Sequence, residues 1–319
     1  MITDLAIITA SFVILVWSAD RFIDGAAAIA KNMGMSPLLI GMTIVSVGTS
    51  APEIIVSLMA ALTGAGNLAV GNALGSNIAN IGLVLGITLL ISPIVVGRIT
   101  AFADLPLLLG TILLCWLLLM DNAISRVDAL ILLGGLGFFL WRMVKHNQQP
   151  DAADDLPHIP SLSTARAWLL FILGLLLLVA SSRALVFGAV NIATRFGVSE
   201  LVIGLTIVAL GTSLPELAAS LLSALRGHAD IAIGAVVGSN MFNLLVVLSL
   251  PGLFGRLELA PEALTRDLGT VFITTLIVAL TTWLVWNKQT KVARLGRRLG
   301  LILFSSYLLY YGVLFYDFA

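Results

Sequence analysis

Charged side chains are scarce in this sequence: 17 Lys and Arg and 17 Asp and Glu make up 11% of 319 residues. A soluble domain carries about 25% charged residues, so a surface this poor in charge would not stay dissolved. Cysteine is nearly absent as well. Cys115 stands alone inside an apolar run, which excludes an intrachain disulfide and a cysteine-rich metal site. The three histidines, His146, His158 and His228, are expected in loops outside the core, which argues against a zinc centre. A formal net charge of zero gives no reason to expect a nucleic-acid partner. Met1-Ile2-Thr3-Asp4 lacks the positive start of a cleavable signal peptide, so the first apolar run is expected in the mature protein.

Apolar residues take the place of what is missing, at 59% of the chain with a mean hydropathy of +1.08. They recur in runs near the ~20 residues that a helix needs to cross hydrocarbon. The pattern predicts an all-α membrane protein with ten transmembrane helices, at 5–30, 37–62, 68–91, 101–120, 126–145, 165–194, 199–225, 231–252, 268–286 and 299–316. The polar stretch 146–163 holds Pro150, Pro157, Pro160 and the acidic Asp151, Asp154 and Asp155. It cannot bury a core, and reads as a linker between a first five-helix repeat, 1–145, and a second, 164–319.

Orientation follows from basic side chains. One set of alternate loops holds eleven of the 17, among them Lys31, Arg98, Arg142, Arg226 and the Lys288–Arg298 cluster; the other set holds Arg126, Arg195, Arg256 and Arg266. The richer set, with the linker, is expected in the cytoplasm, and both termini and the 63–67 loop outside.

A duplication carries the functional reading. Gly34 to Glu53 lies over Gly197 to Glu216 at a shift of 163, with 13 of 20 positions identical. The same shift lays Gly71-Asn72-Ala73-Leu74-Gly75-Ser76-Asn77-Ile78-Ala79-Asn80 over Gly234-Ala235-Val236-Val237-Gly238-Ser239-Asn240-Met241-Phe242-Asn243. Five spans per half is an odd number, so the second copy enters the membrane inverted. Inverted repeats with Gly/Pro-interrupted helices at matching places point to a transporter and its binding site.

Glu53 and Glu216 fall near the bilayer centre, on spans without Lys, Arg or His. An ionisable group at that depth costs about 2.5–3.5 kcal/mol on insertion scales, so something must offset it. A bound cation, a proton or a water-filled cavity would serve, and a divalent cation between two carboxylates suits the charge best. In Gly48-Thr49-Ser50-Ala51-Pro52-Glu53 and Gly211-Thr212-Ser213-Leu214-Pro215-Glu216 the proline removes a donor and crowds the carbonyl of Gly48 or Gly211. The helix is expected to kink there and leave carbonyls unpaired. Such oxygens, with the Thr and Ser hydroxyls, suit Ca2+, whereas softer metals would call for His or Cys. Ser76 and Asn80, like Ser239 and Asn243, stand four apart on one helical face. Gly71 and Gly75, like Gly234 and Gly238, are expected to let helices approach closely.

The paired G-[TS]-S-x-P-E and G-S-N-x-x-[ND] motifs resemble the two alpha repeats of the cation/calcium antiporter superfamily, and the short linker resembles its bacterial and archaeal calcium/sodium antiporters. The resemblance covers essentially the whole chain. It implies an inverted five-plus-five, sodium/calcium exchanger-like bundle that exchanges Na+ for Ca2+ across a prokaryotic inner membrane, with no cofactor. It further implies Glu53 and Glu216 as shared ligands, and oxygens from Thr49, Thr212, Ser50 and Ser213. Ser76 and Ser239 would complete outer sodium positions, with Asn80 and Asn243 at the centre and the carbonyls of Ser46 and Ala209 as further ligands. Asn243 departs from members that carry Asp there, removing one potential charge. Ca2+/H+ exchange stays open as an alternative; an intramembrane enzyme using Glu53 and Glu216 as an acid/base pair lacks a nucleophile constellation. Outside the motifs, Asp20, Arg21 and Asp24 are expected to snorkel or pair locally. Asp104 and Asp267, also related by the shift, are expected to answer helix dipoles.

Overall fold

The computed structural model describes residues 1–146, 162–197, 209–260 and 262–317. The linker residues 147–161, with His158, and the stretch 198–208 of the seventh expected span lie outside the described residues, as does the His146 side chain. The chain is mostly helical. By length and composition, eight described helices can cross a membrane: α1 (Ile2–Met33), α4 (Gly66–Ile91), α5 (Thr100–Leu118), α6 (Arg126–His146), α7 (Thr164–Arg195), α10 (Ala229–Phe254), α11 (Ala263–Leu284) and α12 (Arg297–Asp317). The pair α2 (Pro37–Thr49) and α3 (Ala51–Leu62) makes a further span, bent by 47°. α8 (Ala209–Thr212) and α9 (Leu214–Leu225) follow the same plan in the second copy.

Local sequence sets the ends. Gly34 takes φ 63° and closes α1 with its N–H on the carbonyls of Ala30 and Lys31, a conformation glycine adopts without strain. Ser36 caps α2 by accepting the Leu39 N–H at 3.2 Å, ahead of Pro37 at the first helical position.

Five strands of two to four residues modify the all-α expectation: β1 (Ile94–Val96), β2 (Ala123–Ile124), β3 (Leu257–Glu258), β4 (Trp286–Asn287) and β5 (Val292–Leu295). They satisfy backbone groups in the loops. β1 pairs antiparallel with β5, and β5 with β4, joining loops that charge assigned to one face. β2 pairs with β3, joining loops of the other face.

α1 and α7 run antiparallel with their backbones almost touching. A Cβ on Gly25 would stand 2.5 Å from the Phe171 nitrogen, and one on Gly188 2.9 Å from Ile8. Shifting Gly25 and Phe171 by 163 relates one contact to the other, so the crossing is self-complementary. Phe22 stacks on Phe171 at 4.7 Å beside it. Gly234 and Gly238 pack against α2 as expected: a Cβ would meet the Leu38 carbonyl at 2.8 Å and the Met42 carbonyl at 2.5 Å. Gly71 and Gly75 differ, with no described atom within 4 Å of a Cβ there.

The duplication recurs in backbone irregularities. Wide π-type turns occupy Asn80–Leu85 and Asn243–Val247, and again Thr100–Asp104 and Ala263–Leu268, each pair beginning 163 residues apart.

Several charges behave differently from expectation. Asp104 and Asp267 lie in π-type turns and answer side chains more directly than dipoles. Arg142 donates to Asp104 at 2.8 Å, while Asp267 accepts from Arg266 at 2.7 Å and from the Tyr310 hydroxyl at 3.0 Å. Asp24 does pair locally, with Arg21 at 3.6 Å, but the Arg226 guanidinium also bridges Asp20 and Asp24 from the end of α9. At the other end of α1, buried Asp4 accepts from Arg195 at 3.2 Å. His228 does lie in a loop, at the N-cap position of α10, but it is buried.

Candidate cation site

Each copy of the motif breaks its helix at the serine before Ala51 or Leu214. Ser50 has φ −85°, ψ 1° and Ser213 φ −89°, ψ 0°, near the bridge region rather than in the helix. Pro52 and Pro215 then fall within the first two positions of a new helix, where the missing N–H costs nothing. The break thus moves ahead of the proline and puts Glu53 and Glu216 in a first helical turn. Neither side chain faces lipid: Glu53 is 2% and Glu216 5% exposed. No salt bridge reaches either among the described residues.

The freed carbonyls are only partly available. That of Gly211 accepts the Ser182 hydroxyl of α7 at 2.7 Å, so it is not the unpaired ligand oxygen the proline suggested. The shift places Ala19 where Ser182 would recur, without a hydroxyl for Gly48. The Ser46 carbonyl accepts the Ser50 N–H at 2.9 Å and the Thr49 hydroxyl at 3.4 Å. In the second copy the Ser213 N–H donates to the Leu210 carbonyl at 3.2 Å.

The two copies meet at the glutamates. The Glu216 carboxyl comes within electrostatic reach of Glu53 and of the Thr49 and Ser50 side chains. The turn opening at Asn243 packs on α3, which carries Glu53, and the turn opening at Asn80 on α9, which carries Glu216. Ser46, Thr49, Ser50, Ser76, Asn80, Ser213, Ser239 and Asn243 are buried; Thr212 is half-buried. Ser76, Thr212 and Ser213 line one cavity of about 310 Å³.

Buried polar atoms without partners mark the centre. Among the described residues they include Glu53 Oε2, Glu216 Oε2, Ser50 Oγ, Ser239 Oγ and both amide atoms of Asn243. Buried polar groups are nearly always bonded, so a cluster of orphans demands a partner. Carboxylate, hydroxyl and amide oxygens form the donor set that hard cations require. Among the described residues no group of three His, Cys, Asp or Glu side chains is placed to hold a metal, so neutral oxygens must complete any shell around the two carboxylates.

Asn72, Ser57 and Asn240 were not singled out from sequence. Asn72 donates to the Glu53 main-chain carbonyl at 3.1 Å and to the Ser57 hydroxyl at 2.9 Å. Its signal was the spacing Asn72, Ser76, Asn80 along one helical face, hidden because the second copy has Ala235 at that place. Asn240 is fully buried with both amide atoms unpartnered among the described residues.

This is a membrane protein with a buried, doubly acidic pocket of hard oxygens at paired helix breaks. The chain belongs to the sodium/calcium exchanger family: the family model described as sodium/calcium exchanger protein matches residues 3–145 and 166–316. CaxA of Alkalimonas amylolytica is 45% identical, over 95% of this chain and 96% of its own. The Escherichia coli inner membrane protein YrbG is 36% identical, over 99% and 98%. The sodium/calcium exchanger MaX1 of Methanosarcina acetivorans is 30% identical, over 97% and 98%. A solved structure of the sodium-calcium exchanger NCX_Mj, soaked with zero Na+ and Ca2+, superposes with a TM-score of 0.83 at 30% identity and covers 98% of this chain and 99% of that one. Membership gives calcium and sodium transport by antiport as the activity class, in an integral membrane protein.

Proposed function

We propose that this chain exchanges Na+ for Ca2+ across a prokaryotic inner membrane by alternating access. The observation that carries the reading is the pair Glu53 and Glu216, both buried, each with an unpartnered carboxyl oxygen and no arginine paired to it among the described residues. One Ca2+ balances both carboxylates, and Na+ ions compete for the overlapping oxygens of Thr49, Thr212, Ser50, Ser213, Ser76, Ser239, Asn80 and Asn243 and the carbonyls of Ser46 and Ala209. The ion-free site holds two uncompensated charges and switches poorly, which enforces exchange.

Ten spans in two inverted halves, 1–145 and 164–319, follow from the duplication. The antiparallel crossing of α1 and α7 at shift-related glycines supports the inversion. That pair is the element that slides past the core, since small residues at the crossing let two backbones move in contact. The basic-residue count puts the linker 146–163 in the cytoplasm and the termini outside.

Radiolabelled Ca2+ uptake into proteoliposomes under imposed Na+, K+ and H+ gradients tests the reading. Uptake driven by outward Na+ is expected. Uptake driven only by H+ would replace it with Ca2+/H+ exchange, and no uptake under any gradient would overturn it.

A further inference from the structure

Asn72, Ser76 and Asn80 climb one face of α4 at four-residue steps, whereas the shift of 163 gives Ala235, Ser239 and Asn243 on α10. The ladder therefore has one more polar rung in the first repeat than in the second. A main-chain carbonyl can only accept, so the Asn72 bond to Glu53 fixes which branch of the amide is NH2. That nitrogen is fully engaged by Glu53 and Ser57, and no described residue donates to the oxygen Oδ1. Asn72 is half-buried and lines the cavity of about 310 Å³ that also touches Ser76, Thr212 and Ser213. The cavity also touches Leu68, in the first turn of α4 beside the 63–67 loop, and Arg266 and Asp267 of α11. The matching position on the other repeat offers nothing similar: Ala235 has no polar side chain, and its carbonyl accepts the Ser46 hydroxyl at 3.1 Å.

We propose that Asn72 is a one-sided cation ligand, whose Oδ1 is the first protein oxygen to replace water on Ca2+ or Na+ passing between this cavity and the carboxylates. The inference rests on the antiporter reading of the same site and adds a specific asymmetry to it. A neutral amide oxygen is a hard donor that carries no charge, so it can help strip water from the ion and still release it. Ser76, Thr212 and Ser213 line the same cavity and would supply further oxygens. An ion approaching from the opposite face meets no equivalent rung, so loss of Asn72 affects one face only.

The test compares wild type, Asn72→Ala and Asn72→Asp as full-length proteins in vesicles of known orientation, with half-saturating Ca2+ measured from each face. Asn72→Ala is expected to weaken Ca2+ by roughly three- to tenfold from the face of the 63–67 loop and to leave the other face unchanged. Asn72→Asp keeps an oxygen and loses the donor to Glu53, so it is expected to match or tighten wild-type Ca2+ binding on that face. Equal weakening on both faces, or an Asp variant as weak as the Ala variant, would show that the amide merely positions Glu53 and would overturn the proposal. No shift in either variant, with wild-type exchange intact, would overturn it while sparing the antiporter reading. Wild type without Ca2+ flux would overturn both. Asn72→Ser supplies the comparison if the alanine variant does not elute as a folded protein.

Discussion

The Ser46 hydroxyl donates to the main-chain carbonyl of Ala235 at 3.1 Å, tying the broken helix of one repeat to the continuous helix of the other. The contact is possible because Gly238, one turn further on, carries no side chain. A Cβ there would stand 2.3 Å from Ser46 Oγ and 2.5 Å from the Met42 carbonyl. Gly238→Ala is therefore expected to destabilise the protein by about 1–3 kcal/mol, as overpacking does. A lowered melting temperature in detergent checks this; an unchanged one would mean that α2 gives way freely.

Glu53→Gln and Glu216→Gln keep the size of each side chain and remove its charge. Each should reduce Na+-driven Ca2+ flux by about a hundredfold or more, equivalent to roughly 2.8 kcal/mol of lost ion stabilisation. Wild-type flux in both variants would remove these residues from the site.

Arg142→Ala removes the 2.8 Å donor to the Asp104 carboxyl, whose side chain is fully buried. Removing one partner of a buried pair costs about 3–5 kcal/mol, while replacing both with apolar residues is often neutral. Thermal unfolding should thus show a large loss for Arg142→Ala and recovery in Arg142→Leu with Asp104→Leu. Equal losses would show that the pair is more than a charge match.

His228 gives the protein an acid-sensitive point at the start of α10. Burial foremost, then the neighbouring Arg226, holds its imidazole below the ordinary 6.5, against a weaker opposite pull from Asp24. Above that value neither the folded nor the unfolded state carries the proton and nothing is lost. As pH falls below it, the unfolded chain protonates first and stability drops until the folded pKa is passed. Melting curves between pH 7.5 and 5.5 should fall more steeply for wild type than for His228→Asn, which does not titrate and suits the N-cap position. Parallel slopes would assign the acid sensitivity elsewhere.

Sequence alone located the eight described spans, the bent one and the two buried glutamates, because hydrophobic run length and a 163-residue repeat are properties of the string itself. It placed the interruption at the proline, whereas the backbone turns at Ser50 and Ser213, since a proline is harmless early in a new helix. It left the carbonyl of Gly211 open, because Ser182 lies on another helix and has no counterpart in the first repeat. The same reason hid Asn72 and the partner of Asp24: Arg226 is 202 residues away, and neither periodicity nor duplication links the two. Features shared by both halves could be read from the string; those belonging to one half needed three dimensions.

One of those unshared features fastens α1 to α9 without a counterpart in the other repeat. Arg226 clasps Asp20 and Asp24, but the positions 163 residues away from these three are Thr63, Arg183 and Phe187, which cannot form that clasp. The inherited symmetry is thus chemical only in part, and the two ends of the duplicated scaffold are held by different bonds.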